Sequence, residues 1–220
     1  MRKLVVFDWN GTLLADVQAC LAADNNILKK FGGATVDLKT YRDTIIIPAI
    51  DFYVWHGCNR NSIIAQAKTL SADFHRFYEA KAAHTRMRPG ARKLLQWLHK
   101  HSYRIVILSN HTIVGIQQQL KRLQIESYFS DILANSVLGS ALQGRNKLEK
   151  LKSYLKSHHY QPKDILIVGD SPEEIGIGKS LHITSVAVCH GYISTARLRA
   201  AQPDYLIPSL GGLKRIIQLH

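Results

Sequence analysis

The chain contains few cysteines, and their number and spacing argue against two classes of protein. Cys20, Cys58 and Cys189 are odd in number, far apart and without CxxC spacing. Such a set argues against a disulfide framework and against a structural zinc site. We therefore expect reduced, mostly packed thiols and a cytoplasmic protein.

Long apolar runs are also missing from the sequence. No run approaches the roughly 18 consecutive apolar residues that a membrane-spanning helix needs. The sequence has no internal repeat of the kind that builds solenoids, and no low-complexity tract. These absences favour a globular chain without a membrane partner.

Negative charge is scarce as well. The 16 Asp and Glu residues stand against 29 Lys and Arg residues, which gives a formal net charge of +13. Such an excess attracts anions, among them phosphorylated metabolites and nucleic acids. The densest basic stretch, Lys147 to Lys163, has the pattern of an amphipathic helix with a solvated face. A nucleic-acid partner is therefore less favoured, because it needs the charge gathered on one surface.

Apolar residues are abundant and arranged in short runs. Hydrophobic residues make up 46% of the 220 residues, enough to bury a sizeable core. Helical spacing separates the runs, and this alternation predicts an α/β fold with a Rossmann-like, doubly wound parallel sheet. The predicted strands are Leu4 to Phe7, Arg104 to Leu108, Asp131 to Leu133, Ile165 to Val168 and Thr184 to Val188, and the predicted helices are Ala91 to Leu98, Ile113 to Leu123 and Lys147 to Ser157.

The alternation is interrupted after the first predicted strand. Ile45-Ile46-Ile47 is an ambiguous strand candidate there, and the rest has helical spacing, as from Ile63 to Ala83. This pattern predicts a helical insert that returns at Arg88-Pro89-Gly90 and can act as a lid over the strand ends. The expected division is a helical cap of about residues 16–87 in an α/β core of residues 1–15 and 88–220.

Polar side chains follow the first two long strands, where a buried core would not favour them. Asp8 comes directly after Leu4 to Phe7, with Gly11 and Thr12 suited to a sharp turn. Ser109-Asn110 follows the strand that ends at Leu108 and offers a hydroxyl and amides for phosphate oxygens. Ligands bind at the carboxyl ends of strands in such sheets, so these residues are site candidates.

Charged residues complete the pattern further along the chain. Lys147, at a predicted helix start, offers an ammonium for an anion, and Gly169-Asp170-Ser171-Pro172-Glu173-Glu174 follows another strand. Asp8, Asp170 and Glu174 together form a set of hard oxygen donors suited to Mg²⁺. Each piece alone is an ordinary turn or helix cap, but four pieces in order at four strand ends indicate a site.

The order Asp8-x-Asn10-Gly11-Thr12, Ser109-Asn110, Lys147 and Gly169-Asp170-x-x-x-Glu174 resembles the haloacid dehalogenase-like hydrolases. It is most similar to their phosphoglycolate phosphatase-like branch, which carries a helical cap after the first strand. The resemblance implies hydrolysis of a small phosphorylated metabolite through a covalent aspartyl-phosphate. It implies that Asp8 is the nucleophile and that the phosphate is bound by Thr12, Ser109, Asn110 and Lys147. It also implies that Mg²⁺ is bound by Asp8, Asp170 and the main-chain carbonyl of Asn10. Glu174 would either bind Mg²⁺ through water or orient Lys147.

Asn10 departs from the pattern, because phosphatases of this family usually have a second Asp there. That Asp protonates the leaving group and then activates water, and an amide can do neither. Loss of a general acid–base group typically costs about 10²–10⁴ in rate. Three alternatives stay open: a phosphatase for good leaving groups or with a borrowed acid, a non-phosphate hydrolase such as a haloacid dehalogenase or phosphonatase, and a binding protein with an impaired site.

Several other residues are candidates for contact with substrate. His56, His84 and His111 could supply the missing acid. One of the cap residues Arg42, Tyr53, His56 and Arg60 could contact the non-reacting end of a substrate. A surface or structural role is at least as common for each residue type. The sequence leaves monomer and homodimer equally open.

Overall fold

The computed structural model describes residues 3–136 and 146–219. Its centre is a six-stranded sheet in which all neighbouring strands are parallel, with the order β3-β2-β1-β4-β5-β6. This order and the flanking helices confirm the predicted doubly wound α/β fold. The strands are β1 (Leu4–Phe7), β2 (Arg104–Thr112), β3 (Asp131–Asn135), β4 (Ile165–Gly169), β5 (Thr184–Val188) and β6 (Tyr205–Ile207).

The helices follow the strands in the alternation that the sequence predicts, apart from a group of five between β1 and β2. Short 3-10 turns lie at Glu126–Tyr128, Pro162–Asp164 and Leu210–Gly212. The helices are α1 (Val17–Lys30), α2 (Leu38–Thr44), α3 (Ala49–Trp55), α4 (Arg60–Ala65), α5 (Ala67–Ala82), α6 (Ala91–Lys100), α7 (Ile113–Leu123), α8 (Lys147–His158), α9 (Pro172–Leu181), α10 (Thr195–Ala200) and α11 (Leu213–Leu219).

Strand β1 occupies the middle of the sheet and is buried along its whole length. It pairs with β2 on one side and β4 on the other, so that Phe7 lies opposite both Ile107 and Val168. Val5 and Phe7 belong to one apolar cluster, while Leu4 and Val6 belong to another. Side chains alternate between the two faces of a strand, so both faces of the sheet are covered by helices. This burial explains why β1 is apolar throughout.

The five helices after β1 form a cluster of their own. Helix α1 packs along α5, and Leu28, Tyr41, Phe52 and Leu70 belong to a buried apolar group in this region. We call residues 17–82, which contain α1 to α5, the helical segment. The chain leaves and returns at adjacent points, because Leu14 and Met87 form an antiparallel bridge.

The structure corrects four details of the sequence prediction. Strand β2 continues to Thr112 with a shift of register after Leu108, so Ser109 and Asn110 lie inside an irregular strand end. Ile45 to Ile47 is not a strand but connects α2 to α3 before a cis peptide at Pro48. The helical pattern from Ile63 to Ala83 is split between α4 and α5, with Gln66 as the junction. Strand β6 was not predicted, because its three residues are too few to show a period.

Two expectations from composition can be compared with the structure. In the residues that it describes, no helix combines the length and apolarity needed to span a bilayer. Cys20, Cys58 and Cys189 are all free, and Cys58 and Cys189 are buried.

Candidate active site

The predicted site residues meet at the carboxyl ends of the central strands. Asp8 directly follows β1, and its carboxylate accepts hydrogen bonds from Lys147 Nζ at 2.6 Å and from Thr12 Oγ1 at 3.1 Å. Lys147 is the first residue of α8. Asp8 is 5% exposed and Lys147 is 4% exposed, so the pair is almost completely removed from water.

Glu174 holds Lys147 from the other side. Its Oε1 lies 2.6 Å from Lys147 Nζ, and its Oε2 accepts a hydrogen bond from Ser171 Oγ at 2.7 Å. Glu174 is on the first turn of α9, where a carboxylate also interacts favourably with the helix dipole. Protein donors therefore contact both carboxylate oxygens of Glu174, and one of these donors is the ammonium of Lys147.

Asp170 lies beside Asp8 and is enclosed by backbone. Its Oδ1 is 3.1 Å from Thr12 Oγ1, which also contacts Asp8, and its Oδ2 accepts a hydrogen bond from the backbone N–H of Tyr192. A Cβ atom at Gly11 or at Gly191 would come within 2.4 Å of Asp170 Oδ2. Gly11 also has φ +74°, a conformation that side chains disfavour. These glycines therefore allow the backbone to approach the carboxylate closely.

The buried charges of this cluster are not balanced. Burial raises the pKa of Asp8 well above its usual range, and the like charges of Glu174 and Asp170 act in the same direction against Lys147. Burial likewise raises the pKa of Asp170, to about 6. Burial alone would lower the pKa of Lys147, but Asp8 and Glu174 outweigh it and raise that pKa. Three buried carboxylates around one ammonium form a donor set that a divalent cation would neutralise.

The side-chain amide of Asn10 is hydrogen-bonded within the protein. Its Nδ2 donates to Asp16 Oδ2 and to the hydroxyl of Tyr78, both at 2.7 Å, while its Oδ1 accepts from Ser109 Oγ at 3.3 Å. An amide nitrogen has two N–H donors, so both are engaged within the protein. The side chain of Asn10 therefore has no free donor for a leaving group.

Asp16 is a central residue that the sequence prediction missed. It is completely buried, and it accepts hydrogen bonds from the backbone N–H of Gly11 at 2.7 Å and from the hydroxyls of Tyr78 and Tyr192 at 2.7 and 2.9 Å. The available signal was its position in the apolar stretch Leu13 to Val17, where a carboxylate needs buried partners. Its tyrosine partners come from α5 and from the loop after β5, which no local pattern connects.

Ser109 and Asn110 lie where the register of β2 shifts. Ser109 Oγ accepts a hydrogen bond from the backbone N–H of His111 at 3.1 Å, and Asn110 Nδ2 donates to Glu173 Oε2 at 2.8 Å. Asn110 Oδ1 is buried without a hydrogen-bond partner among the described residues. The irregular strand end therefore directs polar atoms of both predicted residues into the site region.

A cavity of about 240 Å³ adjoins this cluster. The sheet side contributes polar residues, including Asp8, Asn10 and Lys147, whereas the helical segment contributes mainly apolar and aromatic residues. The cavity can therefore enclose a small molecule with a charged end and an apolar body. The lining residues of the helical segment include Ile45, Ile46, Ile47, Tyr53, Leu70 and Phe74.

The three histidines that could supply the missing acid differ in their position relative to the cavity. His111 lines the cavity, whereas His56 Nε2 hydrogen-bonds Thr44 Oγ1 at 2.9 Å and His84 is exposed. Arg42, named as a possible substrate contact, instead donates to the backbone carbonyls of His190 and Gly191 at 2.9 Å. Of the three histidines, His111 has the position from which substrate can be reached.

Known proteins resemble the chain over nearly its full length. A family model described as haloacid dehalogenase-like hydrolase matches residues 5–188. A phosphoglycolate phosphatase of Vibrio vulnificus is 25% identical over 224 residues, covering 98% of this chain and 96% of that protein. A crystal structure described as a predicted phosphatase from Clostridium acetobutylicum matches with a TM-score of 0.82 at 20% identity over all of both chains. A haloacid dehalogenase-like family protein of Streptococcus pneumoniae matches with a TM-score of 0.72 at 21% identity, over 100% of this chain and 99% of that one.

Proposed function

The chain belongs to the haloacid dehalogenase-like hydrolases, and we propose that it is a Mg²⁺-dependent phosphatase of small phosphate esters. In this proposal Asp8 attacks phosphorus and forms an aspartyl-phosphate, which water then hydrolyses. The observation that carries the proposal is the 2.6 Å contact of Lys147 Nζ with Asp8 Oδ1 at the end of the central strand. The likeness to phosphoglycolate phosphatases over nearly the whole chain supports the same class of reaction.

The phosphoryl group would bind between Asp8, Lys147 and Ser109. The ammonium of Lys147 attracts the phosphoryl oxygens and lies against the nucleophile, so it can reduce the repulsion between two anions. Glu174 keeps that ammonium in place through its own 2.6 Å contact. Thr12 and Asn110 complete the polar wall around this end of the cavity.

The donor set fits Mg²⁺. Asp8 and Asp170 contact the same hydroxyl of Thr12 at 3.1 Å, so their oxygens are close together, and burial raises the pKa of both. These two carboxylates and the main-chain carbonyl of Asn10 would hold the ion. When bound, Mg²⁺ would stabilise negative charge on the transferring phosphoryl group.

The leaving group determines which phosphate esters can react. The bond from phosphorus to the leaving oxygen breaks as the bond to Asp8 forms, and the leaving oxygen takes the electron pair. Asn10 cannot protonate it, because an amide N–H is not an acid, and both N–H groups already donate to Asp16 and Tyr78. This favours leaving groups that are stable as anions, such as the carboxylate of an acyl phosphate or the phenolate of an aryl phosphate.

The wall opposite Asp8 supports a substrate with an apolar body. Ile46, Leu70 and Phe74 line that side, and we propose that they belong to a cap of about residues 16–87 over a core of residues 1–15 and 88–220. The bridge between Leu14 and Met87 supports these boundaries, since the chain leaves and returns there. A closed cap over a cavity of about 240 Å³ favours small metabolites over macromolecules.

Non-phosphate hydrolysis is the second candidate, and the observation that favours it is the amide at position 10. A halide leaves without a proton, so haloacid dehalogenation does not need a carboxylic acid there. The buried carboxylates of Asp170 and Glu174 around Lys147 favour the phosphatase, because a metal-free dehalogenase has no need of them. We also propose a cytoplasmic location, which the three free cysteines support.

The decisive experiment compares the wild type with Asp8→Asn on aryl, acyl and alkyl phosphates, phosphoglycolate included, with Mg²⁺ or with EDTA. We expect Mg²⁺-dependent turnover, faster for aryl and acyl phosphates than for alkyl phosphates. Asp8→Asn should lower kcat by at least about 10⁴-fold, as removal of a nucleophile does elsewhere. Release of halide from 2-haloacids in EDTA, or unchanged turnover in Asp8→Asn, would contradict the proposal.

A further inference from the structure

Three potential metal ligands lie together at the edge of the cavity, apart from the carboxylates around Lys147. They are His75 and Glu79 of α5 and His111 of β2. One potential ligand atom from each lies within 4.8 Å of the other two, and His111 Nε2 is 3.1 Å from Glu79 Oε1. His75 and His111 also line the cavity.

The local structure brings these side chains together for specific reasons. His75 and Glu79 are four residues apart on α5, so they share one face of the helix. The rings of His75 and His111 are nearly parallel, at 9°, with centroids 6.0 Å apart. Gly115 leaves the room for this arrangement, because a Cβ atom there would lie 2.7 Å from His111 Nε2 and 3.0 Å from Glu79 Oε1.

Two buried nitrogens of the cluster make no hydrogen bond of acceptable geometry. His75 Nδ1 has no hydrogen-bond partner among residues 3–136 and 146–219, and His111 Nε2 lies 3.1 Å from Glu79 Oε1 without the geometry of a hydrogen bond. Leaving such a group unsatisfied costs about 1–3 kcal/mol, so native structures rarely contain one without a reason. A bound cation would use the lone pair of each imidazole and the negative charge of Glu79.

We propose that His75, Glu79 and His111 bind a divalent transition-metal ion of the zinc class, at a site separate from the Mg²⁺ donors. Two imidazoles and one carboxylate are a common ligand set of zinc sites that keep an open position. Imidazole nitrogens suit such ions, whereas the all-oxygen set at Asp8 and Asp170 suits Mg²⁺. Metal–ligand bonds of about 2.0–2.1 Å place tetrahedral ligand atoms roughly 3.4 Å apart. The 3.1 Å pair already meets that spacing, and the potential ligand atom of His75 lies within 4.8 Å of both members of the pair.

The position of the ion defines what else it would bind. Because two of its three ligands line the cavity, a fourth coordination position would open into the cavity and take water or an oxygen of the substrate. This last step rests on the proposed phosphatase function, since the reacting end of the substrate is placed at Asp8. Binding of the metal ion itself is independent of that function.

The experiment titrates the untagged full chain with Co²⁺ while Mg²⁺ saturates the oxygen site, and follows the visible absorption of cobalt. Zn²⁺ then displaces the cobalt in a competition. We expect one equivalent of Co²⁺ with the absorption of a four-coordinate site. His75→Ala and Glu79→Gln should each weaken binding by at least about 10²-fold, the upper range for loss of an outer-shell partner. His84→Ala changes an exposed histidine and should bind like the wild type.

Two results would overturn the metal site. One is the absence of a four-coordinate cobalt spectrum in the folded wild type. The other is an unchanged affinity for Co²⁺ in both His75→Ala and Glu79→Gln. Each of these variants removes one ligand and leaves the buried His111 unchanged. Asp8→Asn separates the two proposals, because it should abolish turnover and leave the cobalt spectrum intact. If the wild type gives the four-coordinate cobalt spectrum but Asp8→Asn does not change turnover, the metal site is supported and the phosphatase proposal is rejected.

Discussion

Asp8 and Asp24 are both buried aspartates that line the same cavity, but the groups around them differ. Asp8, on the sheet side, contacts the ammonium of Lys147, which it shares with Glu174. Asp24, in the helical segment, receives hydroxyl groups instead, from Tyr41 and Tyr53 at 2.6 Å each, and the thiol of Cys20. Nothing cationic contacts Asp24 in the described part of the chain.

The comparison shows two ways of accommodating a buried carboxyl group. The hydroxyl donors favour the ionised form of Asp24, but burial outweighs them and raises its pKa to about 6. The ionic cluster at Asp8 has more negative than positive charge, so its stability depends on what binds there. The helical side is therefore suited to holding a fixed shape, and the sheet side to exchanging ions and anionic substrates.

The largest effect is expected from removal of the ammonium on the sheet side. Lys147→Met leaves Asp8 and Glu174 buried without the cation that contacts both at 2.6 Å. Loss of one partner from a buried ionic cluster costs about 3–5 kcal/mol. We expect a decrease of that size in the free energy of unfolding, measured by urea denaturation at pH 7 in EDTA.

Lys156→Met is the matched control for Lys147→Met, because Lys156 is an exposed lysine on the same helix. It should change the free energy of unfolding by less than about 0.5 kcal/mol. Equal effects of the two variants on the free energy of unfolding would mean that Lys147 does not stabilise the buried carboxylates of Asp8 and Glu174.

A smaller effect is expected from Asp24→Asn, and it should depend on pH. The pKa of Asp24 is about 6 in the folded chain against the ordinary 3.8, so the folded state binds the proton more tightly. Its contribution to stability is present below pH 3.8 and is lost as pH rises through 6. A difference of about two pKa units corresponds to roughly 3 kcal/mol. The wild type should lose about that much relative to Asp24→Asn between pH 4 and 7, measured by urea denaturation.

Tyr53→Phe sharpens the same measurement. The hydroxyl of Tyr53 lowers the pKa of Asp24 against the larger effect of burial, so its removal should raise that pKa further. We expect the loss of stability in Tyr53→Phe to continue to higher pH than in the wild type, so that the total loss is larger. Parallel pH profiles for the wild type and Asp24→Asn would show that Asp24 does not titrate in this range.

The smallest effect is expected where the two regions meet, at Asn10→Asp. The new carboxyl group would lie about as close to Asp16 as the amide does now, 2.7 Å, so the two acids would share a proton. That proton could protonate a leaving group. We expect kcat/KM, which covers the steps up to release of the leaving group and not the later hydrolysis of the aspartyl-phosphate, to rise about 10²-fold for alkyl phosphates, the lower range for a general acid, and to change little for aryl phosphates.

The variant Asn10→Asp/Asp16→Asn is the control for charge, because it keeps one acid and one amide in the same contact. It should retain part of the gain on alkyl phosphates while avoiding a second buried carboxylate. Equal gains on aryl and alkyl phosphates would show that proton transfer to the leaving group is not what Asn10 limits.

The fold and the sheet side of the site could be predicted because their signals are local. Asp8, Ser109 and Asp170 each follow a run of apolar residues, and parallel strands bring such positions to one edge of the sheet. The irregular end of β2 could not be predicted, because a register shift depends on pairing with β3 rather than on the residues of β2 alone.

The helical side of the site could not be derived in the same way. Asp16 is assembled with Tyr78 and Tyr192 from three parts of the chain, and His111 meets His75 across the cavity edge. Helical periodicity identifies which face of α5 is apolar, but not which strand end that face will meet. Such contacts depend on how the helical segment packs on the sheet, which the spacing of residues does not encode.

Tyr192 has a consequence for observing the molecule at work. Its backbone N–H contacts Asp170, while its hydroxyl reaches Asp16 Oδ2, which Asn10 and Tyr78 of α5 also contact. A displacement of α5 from the sheet by a few ångströms would therefore remove a donor from that single oxygen. A ¹³C label in the carboxyl group of Asp16 would act as a spectroscopic reporter, because a change in its chemical shift during turnover would show whether α5 moves away from the sheet.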